Sequence, residues 1–462
     1  MQTPSLQNEQ LIALTPDWLI PMTDDSSIKD DLSDTPQQPV QPWLVNTTVV
    51  VNKDQIVDII ETSKLDSVYP GCSKIRLEGH ALMPGLINAH CHAAMNLLRG
   101  YSDDLPLKQW LENAIWPVET EFVDDEFVYE GTLVAIAEML RSGTTCFQDM
   151  YFMPEQIARA AQQAGIRANI GLMVVDSMTA WANGADECIS KGIAVYDKFK
   201  HDAKLSFSFA PHAPYTASKE TLQRVSTLSF ELSLNIHMHI HETAQEIKDY
   251  EKQHGLTPLA MMYQNGLLSP QLNAVHMTQL EQHEIDWIAS SGTHVIHCPQ
   301  SNMKLASGIC PVDKLLDAGV NLAIGTDGAA SNNDLNMLAE LQTAALLAKV
   351  NALNPETLSA EQSLYAATMG GAKALGIDSN VGSIEIGKQA DLVAIDLNTI
   401  ETQPVYNPIS QIVYSASREN VSHVWVAGKQ LLDNRELTTL NQKQMLKIAQ
   451  KWHSKIQGLN HD

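Results

Sequence analysis

The chain has 462 residues, enough for a large barrel with a smaller companion domain, and 44% of them are hydrophobic. A formal net charge of −24 argues against nucleic acid or an acidic membrane surface as partner, because phosphate binding needs clustered Lys and Arg. Cys72, Cys91, Cys146, Cys188, Cys298 and Cys310 show no C-x-x-C spacing, residues 1–30 lack a basic segment followed by an apolar core, and no apolar run could span a bilayer. These features predict reduced thiols in a soluble, cytoplasmic protein without a membrane partner.

Residues 1 to about 80 read as short strands in polar loops: Leu11–Leu14, Trp43–Val45, Thr48–Val51 and Gln55–Ile60 carry β-branched or alternating apolar residues. Between them Thr23–Gln41, acidic and rich in Ser and Pro, reads as a surface connector. From Leu82 the pattern becomes short apolar strands alternating with amphipathic helices. Eight strands are expected at Met83–Ala89, Thr144–Met150, Arg167–Val175, Leu205–Ala210, Leu234–Ile240, Asn273–His276, Thr293–Cys298 and Asn321–Gly325.

Helices are expected at Asp124–Ser142, with Asp124 as N-cap and Gly143 beyond the end, at Pro154–Ala164, Ser218–Leu232 and Asp334–Lys349, and after the capping box Ser359–Gln362. This alternation predicts a (β/α)8 barrel of the TIM type, whose chemistry sits at the C-terminal ends of the strands. After Asp378 strands return at Val381–Asp396, Val421–Val426 and Gln430–Leu432. They are expected to pair with the N-terminal ones in a small β-sandwich. The predicted division is 1–80 with 379–438 for the sandwich, 81–378 for the barrel, and 439–462 for a terminal helix and tail.

The first barrel strand runs into His90-Cys91-His92. Side chains two apart on a strand share a face, so both imidazoles can reach one point beyond its end, a start for a zinc or iron site. An isolated His-x-His also occurs as a strand tip with no ligand, so later strand ends decide the matter. The fifth strand places His237, His239 and His241 on one face, and spacing alone does not choose between His239 and His241 as ligand. Glu242 at its mouth can carry protons beside a metal. The fourth strand ends at His212 between prolines, the sixth at His276, and the eighth at Asp327. Each alone has an ordinary reading as a loop residue; together they form one polar rim.

These motifs resemble the amidohydrolase superfamily, and closely its 5′-methylthioadenosine/S-adenosylhomocysteine deaminase group. The matching blocks are Pro84–Gly100, Trp110–Glu119, Pro211–Tyr215, His239–Glu242, His297–Leu305, Gly325–Asn336 and Gly382–Asp396. The resemblance implies one divalent metal, zinc with ferrous iron as the alternative, held by His90, His92, His239 and Asp327. It implies no second metal, since no lysine follows the fourth strand. It further implies that Asp327 and His276 handle the attacking water, that Glu242 protonates the adenine ring, and that Glu119 and His212 contact ribose and purine. The implied reaction is hydrolytic deamination of a purine nucleoside by a homo-oligomer, dimer or tetramer. One departure stands out. Relatives that accept S-adenosylhomocysteine well are expected to hold its carboxylate with arginines beyond the third strand, yet Gly171–Gly192 contains no Arg and only Lys191. Methylthioadenosine is therefore the expected preference, with S-adenosylhomocysteine and adenosine as further substrates. The competing readings are a guanine or cytosine deaminase or an s-triazine hydrolase on the same metal site, and a scaffold that lost its chemistry.

Overall fold

The structure, a computed structural model, describes residues 11–23 and 41–458. Nearly all of the connector expected at Thr23–Gln41 lies outside the described residues. In chain order the strands are β1 (Leu11–Leu19), β2 (Thr47–Asn52), β3 (Gln55–Glu61), β4 (Ser73–Pro84), β5 (Leu86–Cys91), β6 (Thr144–Asp149), β7 (Arg167–Val174) and β8 (Leu205–Pro211). They continue as β9 (Asn235–Ile240), β10 (Leu272–His276), β11 (His294–His297), β12 (Leu322–Ile324), β13 (Leu392–Asp396), β14 (Val421–Val426), β15 (Lys429–Asp433) and β16 (Glu436–Leu437).

Strands β5 to β12 are parallel neighbours in sequence order, and β12 returns beside β5. Gly325 makes this return close. A Cβ there would lie 2.7 Å from the His90 nitrogen and 2.8 Å from its carbonyl oxygen, so no larger residue lets the eighth strand approach the first. The Asp327 N–H then donates to the His90 carbonyl at 3.0 Å. The expected TIM-type barrel is thus present.

The strands of both chain ends form one mixed sheet in the order β16-β15-β14-β13-β4-β1-β2-β3. Alternation explains its two faces: Leu14, Val49 and Val51 join one apolar cluster while Ala13 and Val50 join the other. The antiparallel pairing of β4 with β13 joins the two chain ends, and β1 with β4 is the parallel pair. Two expected strands are absent. Leu44 makes only a single bridge to Leu19, and Val381–Asp391 is an irregular segment whose backbone bonds go to Ile56 and Asp54. Its glycines, Gly382 and Gly387, both adopt φ of +94°, which breaks the extended pattern that the apolar alternation suggested.

The helix starts follow their caps. Asp124 accepts from the Phe127 N–H at 2.7 Å and opens the helix Asp125–Arg141, and Ser359 with Gln362 forms the capping box of Ala360–Ala366. Among the described residues no helix is long and apolar enough to cross a membrane.

Barrel and sheet are joined by a buried ion pair. Arg167 on β7 binds Asp391 through two hydrogen bonds of 2.8 and 3.1 Å, and Asp391 also accepts from the Ala427 N–H at 2.7 Å. Removing the carboxylate would leave a guanidinium buried without its counter-charge. We expect Asp391→Ala to lose about 3–5 kcal/mol of stability in a urea unfolding series; a loss below about 1 kcal/mol would show that the pair does not hold the two sheets together.

Candidate active site

The first layer of the site comes from the two strands that meet at the barrel seam. His90 ends β5 and is fully buried; its Nε2 lies 3.3 Å from Asp327 Oδ1 and 3.2 Å from His239 Nε2. His92 Nε2 lies 3.2 Å from the same Asp327 oxygen. The ligand atoms of His90, His92 and Asp327 lie within 4.8 Å of one another, as do those of His90, His239 and His276. The far nitrogen of each imidazole is engaged: His90 Nδ1 by His237 Nε2 at 2.8 Å, His92 Nδ1 by the Met150 carbonyl at 2.6 Å, and His239 Nδ1 by the His212 carbonyl at 2.9 Å. Such partners fix ring orientation and tautomer and leave the inward nitrogens free to bind.

The fifth-strand ambiguity has a geometric answer. His239 faces the cluster, while His241, with φ of +53°, turns away and binds the Gln279 carbonyl at 2.8 Å and the Leu259 N–H at 3.3 Å. His276 and Asp327 also sit in the left-handed region, at φ of +76° and +62°. Strained non-glycine backbone gathered at one rim is a mark of a functional site.

Burial favours the neutral, metal-binding form of His90 and His239: it lowers the His90 pKa to about 4 and that of His239 well below the usual value, with His90 adding to the latter effect. For His92 burial pulls downward, but the hydrogen bond and charge of Asp327 outweigh it and raise the value to about 9. Burial likewise raises Asp327, and its bonds to His90 and His92 overcome that and hold the carboxyl ionised. Three oriented imidazoles and one ionised carboxylate make a donor set suited to one divalent metal such as zinc. The end of β8 carries His212 with no lysine, so a bridging modified lysine for a second metal is not available there.

The cluster opens into a cavity of about 390 Å3 lined by His92, Glu119, His212, His239, Glu242, His276 and Asp327 together with Trp110, Tyr151 and Met173. Glu242 is buried and its carboxyl pKa is raised, chiefly by burial; Ser307 donates to it at 3.3 Å and His276 Nε2 stands 3.8 Å away. Glu119 receives the Tyr151 hydroxyl at 2.6 Å, and burial raises its pKa to about 6. His212 bonds Thr216 Oγ1 at 3.1 Å, and burial lowers it to about 4. Seven of the residues that the resemblance assigns to the site line this cavity, and His90 lies against two of them, Asp327 and His239.

Several neighbours were not legible as functional. Ser301 and Ser331 donate to Asp327 Oδ2 at 2.5 and 2.9 Å, and Asn302 Oδ1 accepts from His276 Nδ1 at 2.9 Å. They fall in the two motif runs at His297–Asn302 and Gly325–Asn333, but only the fold shows which atoms they hold.

The model of the amidohydrolase family matches residues 81–431. The chain belongs to this family. It is 47% identical, over 91% of its length and 95% of the relative's, to a 5-methylthioadenosine/S-adenosylhomocysteine deaminase of Teredinibacter turnerae. Among solved structures it is similar to an adenosine deaminase of Xanthomonas campestris with bound zinc, at 43% identity and a TM-score of 0.91, covering 97% of this chain and 98% of that one. It also shares its fold, at 20% identity and a TM-score of 0.84, with a zinc-complexed atrazine chlorohydrolase of Arthrobacter aurescens, covering 96% of this chain and 99% of that one.

Proposed function

We propose that this amidohydrolase is a metal-dependent deaminase that converts the 6-amino group of an adenine nucleoside to a 6-oxo group and releases ammonia, with 5′-methylthioadenosine as the preferred substrate. The observation that carries the reading is the meeting of two ligand groups that share His90, one of His90, His92 and Asp327 and one of His90, His239 and His276, beside a cavity that Glu119 and Glu242 also line. The relatives' activities supply the adenine nucleoside class.

In this reading His90, His92, His239 and Asp327 hold the metal. When bound, a divalent ion lowers the pKa of water to about 7 and so supplies hydroxide near neutral pH. Asp327 accepts the proton of the attacking water, and Ser301 and Ser331 hold its second oxygen so that Oδ1 faces the site. His276, oriented by Asn302, holds the attacking oxygen through Nε2. Attack at C6 breaks the ring's aromaticity, so N1 must be protonated; Glu242 donates that proton, the proton taken up by Asp327 passes to the departing amine, and the proton of the new C6 hydroxyl returns to Glu242 as the 6-oxo group forms. Deaminases on other folds use a glutamate that is not a ligand in the same way. Glu119 accepts from the ribose hydroxyls and His212 packs against the purine.

The preference for methylthioadenosine follows from charge. Among the described residues the cavity lining contains no Lys or Arg, while Met178, Trp110 and Trp116 supply apolar surface for a methylthio group. Lys191, the single cation of the stretch Gly171–Gly192, is bound to Glu187 at 2.7 Å and to the Trp181 carbonyl at 2.6 Å. A zwitterionic amino-acid tail would enter without a partner for its carboxylate. Ultraviolet absorbance follows adenine to hypoxanthine directly. We expect zinc-loaded protein to convert methylthioadenosine with a kcat/KM at least about tenfold above that for S-adenosylhomocysteine, a difference of about 1.4 kcal/mol. Equal or reversed values would remove the preference, and no conversion of either would remove the nucleoside reading.

The proposal includes a cytoplasmic homo-oligomer, dimer or tetramer, that binds no nucleic acid. The exposed row Leu346, Val350 and Leu353 on and after the helix Met337–Ala352 supports self-association, the net charge of −24 supports the absence of nucleic acid, and six free cysteines support a reducing compartment.

A further inference from the structure

His237 lies one inward position deeper on β9 than His239 and does not line the cavity. It is fully buried, and its Nε2 is 2.8 Å from His90 Nδ1, with the two rings stacked at 24° and 5.0 Å between centroids. The direction of this bond has a chemical consequence. A neutral His90 that offers Nε2 to a metal carries its proton on Nδ1, so it must donate to His237. With the opposite tautomer the proton occupies Nε2 and blocks binding. His237 can accept only if its own proton sits on Nδ1.

That Nδ1 is buried and has no protein partner. Beside it in the β9–β10 register stands Asn273, also fully buried, whose amide oxygen and nitrogen both lack a protein partner as well. Buried polar atoms are nearly always paired, and adjacent unpaired donors and acceptors are the setting in which internal water is held. In most barrels of this class this layer is filled by branched apolar residues, yet here β9 and β10 place an imidazole and an amide in it.

We propose that His237 is a positioning residue for the metal ligand His90: it accepts the His90 Nδ1 proton, and its own Nδ1 proton is bound by a water shared with Asn273. The arrangement keeps His90 in the one neutral tautomer whose Nε2 is free. The inference rests on the metal reading of the site and is independent of which nucleoside is the substrate.

The test measures zinc affinity by competition with a chromophoric chelator, without substrate, alongside the thermal midpoint of the zinc-free protein. His237→Leu keeps the bulk and removes the acceptor. We expect its zinc affinity to fall about 10–100-fold, while His237→Gln, whose side-chain oxygen can accept from His90, stays within a few-fold of the parent. Matched zinc-free midpoints with equal affinities for parent and His237→Leu overturn the inference and leave the metal reading intact; a parent protein that takes up no zinc overturns both. Should His237→Leu not fold, a crystal structure of the zinc-loaded parent decides. A His90 Nδ1 to His237 Nε2 separation under 3.2 Å, with a water in contact with both His237 Nδ1 and Asn273, supports the inference; a separation above 3.5 Å overturns it.

Discussion

Glu242→Gln is expected to lower kcat for methylthioadenosine about 10²–10⁴-fold, the range for removing a positioned acid–base group, while leaving zinc content unchanged. The substitution conserves volume, and the amide can keep the Ser307 contact at 3.3 Å and the anchoring bond from Thr278 Oγ1 to the residue's carbonyl at 2.6 Å. What it removes is the exchangeable proton. Burial raises the Glu242 carboxyl pKa, so a proton is held more readily there than on an exposed glutamate, and the carboxyl stands at the mouth of β9 facing His276. Because Glu242 is not in the ligand set, metal content and the thermal midpoint should stay at parental values. A rate within tenfold of the parent would show that another group, or solvent, protonates the ring.

Asp327→Asn is expected to have an effect at least as large, and of a different kind. The carboxylate is the single ionised oxygen donor of the cluster and also the acceptor for the water's proton in the proposed reaction. Its loss should cost about 10²–10⁴ in kcat from the proton-transfer role alone, with weaker metal binding in addition. The binding effect can be read without turnover. For the parent, free zinc at 100 times its Kd should stabilise the fold by about 2.7 kcal/mol, seen as a rise in the thermal midpoint that a chelator reverses. Asp327→Asn should lose most of that rise at the same zinc concentration. If the variant shows the parental zinc-dependent rise and only the rate falls, Asp327 is a base and not a ligand. If neither changes, the rim has been misread.

The two variants separate the roles that one cavity combines. Glu242→Gln tests chemistry on an intact metal site, and Asp327→Asn tests the site itself. Removing zinc with a chelator and restoring it should abolish and recover the parent's activity, whereas neither treatment should rescue Glu242→Gln.

Much of this protein was legible in the sequence because its signals are local. Period-2 apolar runs alternate with capped helices, and Asp124, Gly143 and Ser359 mark helix ends by hydrogen bonds made within a few residues. The rim residues His90, His92, His276 and Asp327 and a histidine of the fifth strand could be named because barrel strands deliver their C-terminal ends to one face, so being at a strand's end is itself a spatial coordinate. Glu242 followed from its place at the mouth of the fifth strand, and the resemblance, in which the acid lies three residues after the ligand, pointed to His239. The irregular path of Val381–Asp391 was not legible: apolar alternation there suggested a strand, but two glycines at positive φ break it.

What the tertiary structure alone decided are the contacts between residues far apart in sequence. That His239 and not His241 faces the cluster depends on a left-handed turn at His241, on the Gln279 carbonyl that accepts from it and on the Leu259 N–H that donates to it. That Gly325 must be glycine is a fact about the His90 backbone, more than 200 residues away, and the oxygens of Asp327 are divided between imidazoles and serines by the closing of β12 on β5. The bonds from His237 to His90 and from Arg167 to Asp391 are of the same kind. Periodicity determines which side of a strand a residue takes, because side-chain direction is a property of the local backbone. Which atom meets it there depends on how eight strands close into a barrel, and no local pattern encodes that distance.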